Sequence, residues 1–162
     1  MTIDLRLIAI IGAVLGLDLT VRFYPAGGPV CDHAHLDLLE RLRKRLSAAL
    51  RWQTEQPVPI AGDLRSADAT ITGQTFDAMV EAETRLGDLQ ALERRVRTKA
   101  RDLAVIRVIL LVADTRTDRS ILAAHPEFAA AYPISSRACL RALSRGEDPG
   151  GDAILNPVAR PT

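Results

Sequence analysis

Three acidic residues have the spacing that metal-assisted chemistry needs. Asp68 heads an alternating segment, Ala67 to Thr72, that follows a Gly62-Asp63 turn. Glu81 and Glu83 lie two residues apart in the next segment, beyond a break at Gly73-Gln74. Residues two apart on a strand project from one face, and Arg85 is next on that face. A hairpin brings Asp68 beside them. Carboxylates so grouped are ligands for a hard divalent cation such as Mg²⁺, with positions left for water and phosphate. Such an ion activates water and neutralises charge developing on a phosphodiester. The expected metal ligands are therefore Asp68, Glu81 and Glu83. The same spacing also describes the solvated face of an antiparallel hairpin, its glutamates paired with arginines.

The elements that must position these residues follow from hydrophobic periodicity. Leu5, Ile8, Ile11 and Leu15 predict a helix over 4–16, and the alternation from Leu17 to Tyr24 predicts a strand. Pro25-Ala-Gly-Gly-Pro29 is the one candidate linker. It divides an N-terminal segment, 1–24, from a larger unit, 30–158. Leu36, Leu39, Leu42, Leu46 and Leu50 predict a helix from about 32 to 50, with Arg41, Arg43, Lys44 and Arg45 outward. Residues 51–60 read as an edge strand, since Pro57 and Pro59 cannot donate to a ladder. Strands over 67–72 and 76–85 follow, then a helix from Asp88 to about Leu103. The apolar run 105–112 reads as a strand covered on both faces. With the preceding helix it makes a βαβ unit, expected to be right-handed. Short helices over 117–124, 126–131 and 135–145 and a last strand over 153–158 complete the chain. The fold expected is α/β, a mixed central sheet flanked by helices, with an extra N-terminal helix.

This order of elements resembles the PD-(D/E)XK nuclease superfamily, the restriction-endonuclease-like fold. The resemblance rests on Ser66-Ala67-Asp68-Ala69-Thr70-Ile71, on Met79-Val80-Glu81-Ala82-Glu83-Thr84-Arg85, and on Gln90 in the first turn of the next helix. The stretches Pro59 to Asp68 and Val80 to Leu86 are also similar to actinobacterial regulators in which an Xre-type helix-turn-helix precedes such a domain. Residues 4–16 with Gly16-Leu17-Asp18-Leu19 resemble the closing helix of that DNA-binding domain. Its recognition helix would lie upstream, so a shortened relative or a late-started reading frame is expected. The resemblance implies a nucleic-acid-associated, Mg²⁺-dependent phosphodiesterase, with Glu83, Gln90 and Arg85 in catalytic roles. It also departs from the pattern. Glu83 stands where the superfamily has a lysine that orients the attacking water. Lys99 lies some ten residues into the helix, on its Leu92/Val96 side, and is expected to be too distant to replace it. Arginine at 85 is a poor proton acceptor. The alternative function is a non-catalytic transcription-regulator or interaction module of the same fold.

Other features are weaker. At 100° per residue Arg94, Arg97 and Arg101 share a helix face with Gln90 and are the expected nucleic-acid contacts. The alternative is an ordinary solvated face. Cys31-x-His33-x-His35 has no second cluster to complete a tetrahedral site and reads as polar residues opening a helix. Asp114 to Arg119 follows the buried strand at a carboxyl end, where α/β sheets tend to bind ligands; a small-molecule sensor is the third functional class. The 162 residues carry 21 basic and 20 acidic side chains, so no global field draws the chain onto polyanions. The longest apolar run, Leu7 to Leu17, is shorter than the roughly 20 residues a bilayer requires. Two distant cysteines suit a reducing compartment. The expectation is a cytoplasmic protein that meets nucleic acid or a second copy of itself, as a homodimer, and no membrane.

Overall fold

A computed structural model describes residues 10, 13, 14 and 29–156. Ile10, Ala13 and Val14 are helical, within the expected 4–16 helix; the rest of that helix and the 17–24 strand lie outside the described residues. From Pro29 onward the order is α1 (Pro29–Arg43), β1 (Arg51–Pro57), β2 (Ser66–Thr72), β3 (Asp77–Glu83) and α2 (Leu89–Asp102). Then follow β4 (Arg107–Val112), α3 (Arg116–Ala124), α4 (Pro126–Ala130), α5 (Ser136–Arg145) and β5 (Ala153–Leu155). The five strands form one mixed sheet in the order β1-β2-β3-β4-β5. β1, β2 and β3 are antiparallel neighbours, whereas β4 runs parallel to β3 and to β5. The fold is thus α/β, with helices on both faces of the sheet. Among the described residues no helix is long and apolar enough to cross a membrane.

The two faces bury separate cores. Leu38, Leu39 and Leu42 of α1 and Cys139 and Leu143 of α5 pack on Ala69, Ile71, Val80, Ile109 and Leu111. On the opposite face Leu89, Leu92 and Val96 of α2 pack on Met79, Val108 and Leu110, with Phe128 and Tyr132 beside them. β4 feeds both cores, which explains its nearly unbroken apolar run. α1 is shorter than its leucine periodicity predicts. Beyond Arg43 the chain tightens, Arg45 N–H reaching Leu42 O, and Ser47 N–H bonds to Leu143 O of α5. Leu46 and Leu50 still pack on the core, from an elbow rather than from the helix. Gly73 is required at its turn: a Cβ there would meet the buried Phe76 ring at 2.5 Å.

Candidate functional site

The site forms where β2 and β3 part. Their ladder reaches Ala69↔Val80. Beyond it the Asp68 carboxylate accepts the N–H of Ala82 at 2.8 Å, taking the place of a backbone partner. β1 passes this point with Glu55 at a φ of 50°, between the pairs Thr54↔Ala69 and Gln56↔Ala67. β2 changes face here: Ala67 joins the core under α2, whereas Ala69 joins the core under α1 and α5. An aspartate suits such a position because its short side chain bonds backbone groups that a ladder leaves open.

α2 supplies the basic side of the site. Its N-cap Asp88 accepts from Ala91 N–H and starts the helix just past the end of β3. The helix then runs back over the strand, antiparallel to it. Four helical residues advance about 6 Å, close to the roughly 6.6 Å spanned by two strand residues. Arg95 and Lys99 therefore fall in step with Glu83 and Glu81. Arg95 Nη2 donates to Glu83. Lys99 Nζ donates to Glu81 Oε2 at 2.6 Å and to the carbonyl of Ser66 at 2.9 Å. The lysine is thereby stitched between β2 and β3 at the point where they separate.

This corrects the expected place of Lys99. It does lie on the Leu92/Val96 side of α2, and for that reason it reaches the sheet: that is the buried side. Ten residues along an antiparallel helix carry it back toward Glu81 rather than away. The signal is present in the sequence, since a lysine at 99 interrupts the apolar stripe of Leu89, Leu92, Val96 and Ala100.

α1 supplies a fourth group, His35, which the sequence presents only as a polar residue opening a helix. Its Nε2 lies 3.4 Å from Asp68 Oδ2. The Asp68 hydrogen bond, with the charges of Glu83 and Glu81 adding to it, raises His35 above the ordinary histidine range despite burial. Burial pushes Asp68 up, but its bonds to His35 and Ala82 outweigh this and hold the carboxyl below its usual value. Glu81 behaves oppositely. Burial and the neighbouring Asp68 charge raise it, against the pull of Lys99. Its Oε1 is buried with no hydrogen-bond partner. Burial also raises Glu83, against Arg95.

The expected trio is therefore divided. Asp68 and Glu81 remain coupled through charge, whereas Glu83 is drawn to Arg95. Among the described residues no three His, Cys, Asp or Glu side chains converge tightly enough to hold one ion. Arg85 is exposed in the loop beyond β3, not on its face. Gln90 is exposed on the first turn of α2 and lines a cleft of about 770 Å³ with Arg94, His125 and Phe128. The helix meets the two glutamates only later, at Arg95 and Lys99.

The arginines expected to hold phosphate are also not one open row. Arg97 is bound by Glu93 at 2.7 Å, by Asp152 and by the carbonyl of Ala131, and stacks over Tyr132 at 5.2 Å. Arg101 pairs with Asp102. Arg94 is exposed at the cleft. The stretch after β4 is built for capping. Thr115 caps α3, and the buried Asp118 accepts from Leu86 N–H and Thr115 Oγ1. A smaller cavity of about 310 Å³ lies beside it, between Val112, Arg119 and Ser135.

The groups present that bear on a divalent cation are the buried Glu81 Oε1 and the neighbouring Asp68 carboxylate. A buried carboxylate oxygen without a partner, next to a second carboxylate, is relieved by positive charge. Mg²⁺ is commonly held by one or two carboxylates, with waters and substrate phosphate completing its shell. Asp68 and Glu81 would be its protein ligands. Comparison of the chain with protein-family models, with curated proteins and with solved structures gives no match.

Proposed function

We propose that the chain is a nuclease-like, nucleic-acid-associated domain of PD-(D/E)XK type, with a phosphodiesterase site at Asp68, Glu81 and Lys99. The observation that carries this reading is the 2.6 Å contact of Lys99 with Glu81, at the strand junction that Asp68 heads. It supplies from α2 the ammonium that Glu83 denies to β3. Asp68 and Glu81 would hold Mg²⁺, and the chemistry it would supply when bound is polarisation of the phosphodiester and a more acidic water. Lys99 orients the attacking water and balances negative charge on the phosphoryl oxygens. His35 fixes the Asp68 carboxylate. Hydrolysis adds water across one P–O bond, leaving a phosphomonoester and a hydroxyl.

One observation favours a second reading, the non-catalytic regulatory or interaction module. Each carboxylate of the trio already has an internal basic partner: His35 on Asp68, Lys99 on Glu81 and Arg95 on Glu83. Incubation with DNA and RNA, in Mg²⁺ or Mn²⁺ and in chelator, separates the two. Metal-dependent cleavage that disappears in both Asp68→Ala and Lys99→Met is the expected result. Intact nucleic acid at all metal concentrations, with a melting temperature indifferent to Mn²⁺, leaves the non-catalytic module.

A further inference from the structure

The charged side chains of this protein are sorted. Arg65, Arg95, Arg97, Lys99, Arg101, Arg107 and Arg119 all sit in ion pairs of 3.1 Å or less. Six others make no ion pair among the described residues: Arg41, Arg45, Arg51, Arg137, Arg141 and Arg145. All six belong to α1, α5 or the elbow and strand start beside them. Both helices cover the same face of the sheet, so their outward sides form one surface. The elbow joins them directly, since Ser47 N–H bonds to Leu143 O, and a Cβ on Gly146 would touch Ala49. Only three further unpaired arginines, Arg85, Arg94 and Arg116, are found elsewhere among the described residues.

The surface has a basic excess on a chain of net charge +1, although the exposed Asp37 of α1 and Glu147 just after α5 also border it. Residues 40–51 contain five basic side chains and one acidic, and α5 contains three arginines and no acid. Arg43 and Lys44 make only long contacts with that single acid, Glu40, at 3.9 and 3.8 Å. Arg45 Nη1 is buried without a hydrogen-bond partner, so the exposed donors of the face are Arg41, Arg51 and the three arginines of α5. Arg137, Arg141 and Arg145 recur every fourth residue, so they stand about 6 Å apart in one row along α5. Unpaired arginines in a row are donors for phosphate oxygens.

We infer that this face binds the phosphate backbone of double-stranded DNA without reading its sequence. A duplex fits better than a single strand because single-strand platforms stack bases on exposed aromatic rings. Among the described residues Phe76, Phe128 and Tyr132 are buried and Trp52 is packed against the core. The face also leads to the acidic junction. His35, which touches Asp68, lies six residues before Arg41 on α1, about 9 Å along its axis. The inference deepens the nucleic-acid part of the function proposed above and does not require cleavage. It moves the backbone contacts from α2 to α1 and α5.

The test is fluorescence anisotropy with a duplex of arbitrary sequence, across a range of NaCl and with EDTA present. The triple variant Arg137→Gln, Arg141→Gln, Arg145→Gln should bind about tenfold more weakly or worse. Its log–log salt slope should flatten by about 0.9 for each phosphate that is no longer neutralised. Arg85→Gln, Arg94→Gln, Arg116→Gln changes net charge equally but off the face, and should bind within about threefold of wild type. If the α5 variant does not fold, as its melting curve will tell, Arg41→Gln with Arg51→Gln takes its place with the same expectation. Equal weakening in the face variant and the control overturns the inference, as does tighter binding to single strands. Binding to phosphatidylserine vesicles but not to the duplex also overturns it and points to a lipid surface. Duplex binding without metal-dependent cleavage would sink the nuclease reading and leave this one standing. Cleavage of single strands without duplex binding would do the reverse.

Discussion

Removing Lys99 should leave a charge with nowhere to go. The side chains of Lys99 and Glu81 are 11% and 3% exposed, and their charged atoms are 2.6 Å apart. At an effective dielectric of about 20, that separation is a gross attraction of roughly 6 kcal/mol. Desolvation of the two ions, at several kcal/mol each, offsets most of it. The pair is thus worth little against an apolar replacement, but half of it is costly. Lys99→Met should destabilise the fold by about 3–5 kcal/mol at pH 7.5, the usual penalty of a stranded buried charge. For a chain of this size that corresponds to a fall of about 6–20 °C in melting temperature. Lys99→Met with Glu81→Leu should return to within about 2 kcal/mol of wild type.

The destabilisation should depend on pH. Burial and Asp68 already raise Glu81 above the ordinary carboxylate value, and without Lys99 it rises further. A carboxyl raised in the folded state binds its proton there first. Acidification through that raised value therefore favours folding, and alkaline pH penalises it. The Lys99→Met deficit should shrink between pH 7.5 and pH 5, read by urea denaturation beside wild type. A deficit below about 1 kcal/mol at pH 7.5, or one that grows on acidification, would refute the buried pair.

The remaining expectations are narrower. His35→Ala should remove a contribution of about 0.5–1 kcal/mol, small because both partners are partly exposed. A raised histidine stabilises fully below its unfolded value of 6.5 and ceases to do so as pH climbs through its folded value. A depressed Asp68 contributes above 3.8 and fades as pH falls through its folded value. The His35→Ala deficit should therefore be greatest between those limits and vanish toward both extremes; a deficit flat in pH would contradict the ion pair. Gly73→Ala should cost about 1–3 kcal/mol, because its Cβ would overlap a Phe76 ring that is only 4% exposed; unchanged urea stability would show that the ring yields. Cys139 is fully buried and its thiol is pushed up to about 12, so peptide mapping should find it unlabelled by thiol reagents until the protein unfolds.

Most of the architecture is determined by local chemistry. Alternation in 66–72 and the apolar run of β4 each report a burial pattern within one element, and Pro57 and Pro59 mark the end of β1. Such patterns repeat with the period of the element itself, so the α/β order and the separation of Asp68 and Glu81 onto adjacent strands are legible without tertiary information. The end of α1 is not legible, because leucines in an elbow and leucines on a helix bury equally well. The composition of the site is also decided elsewhere. Glu83, Gln90 and Arg85 follow one another closely in sequence, yet Arg95 draws Glu83 aside while Gln90 and Arg85 face solvent. Lys99 and His35 join Asp68 and Glu81 from helices on opposite faces of the sheet. No spacing rule links them, because their proximity depends on how α1 and α2 cross the strands. The sorting of arginines into paired and unpaired has the same origin. A charge is neutralised by whatever the fold brings within about 4 Å, and only packing decides which acid that is.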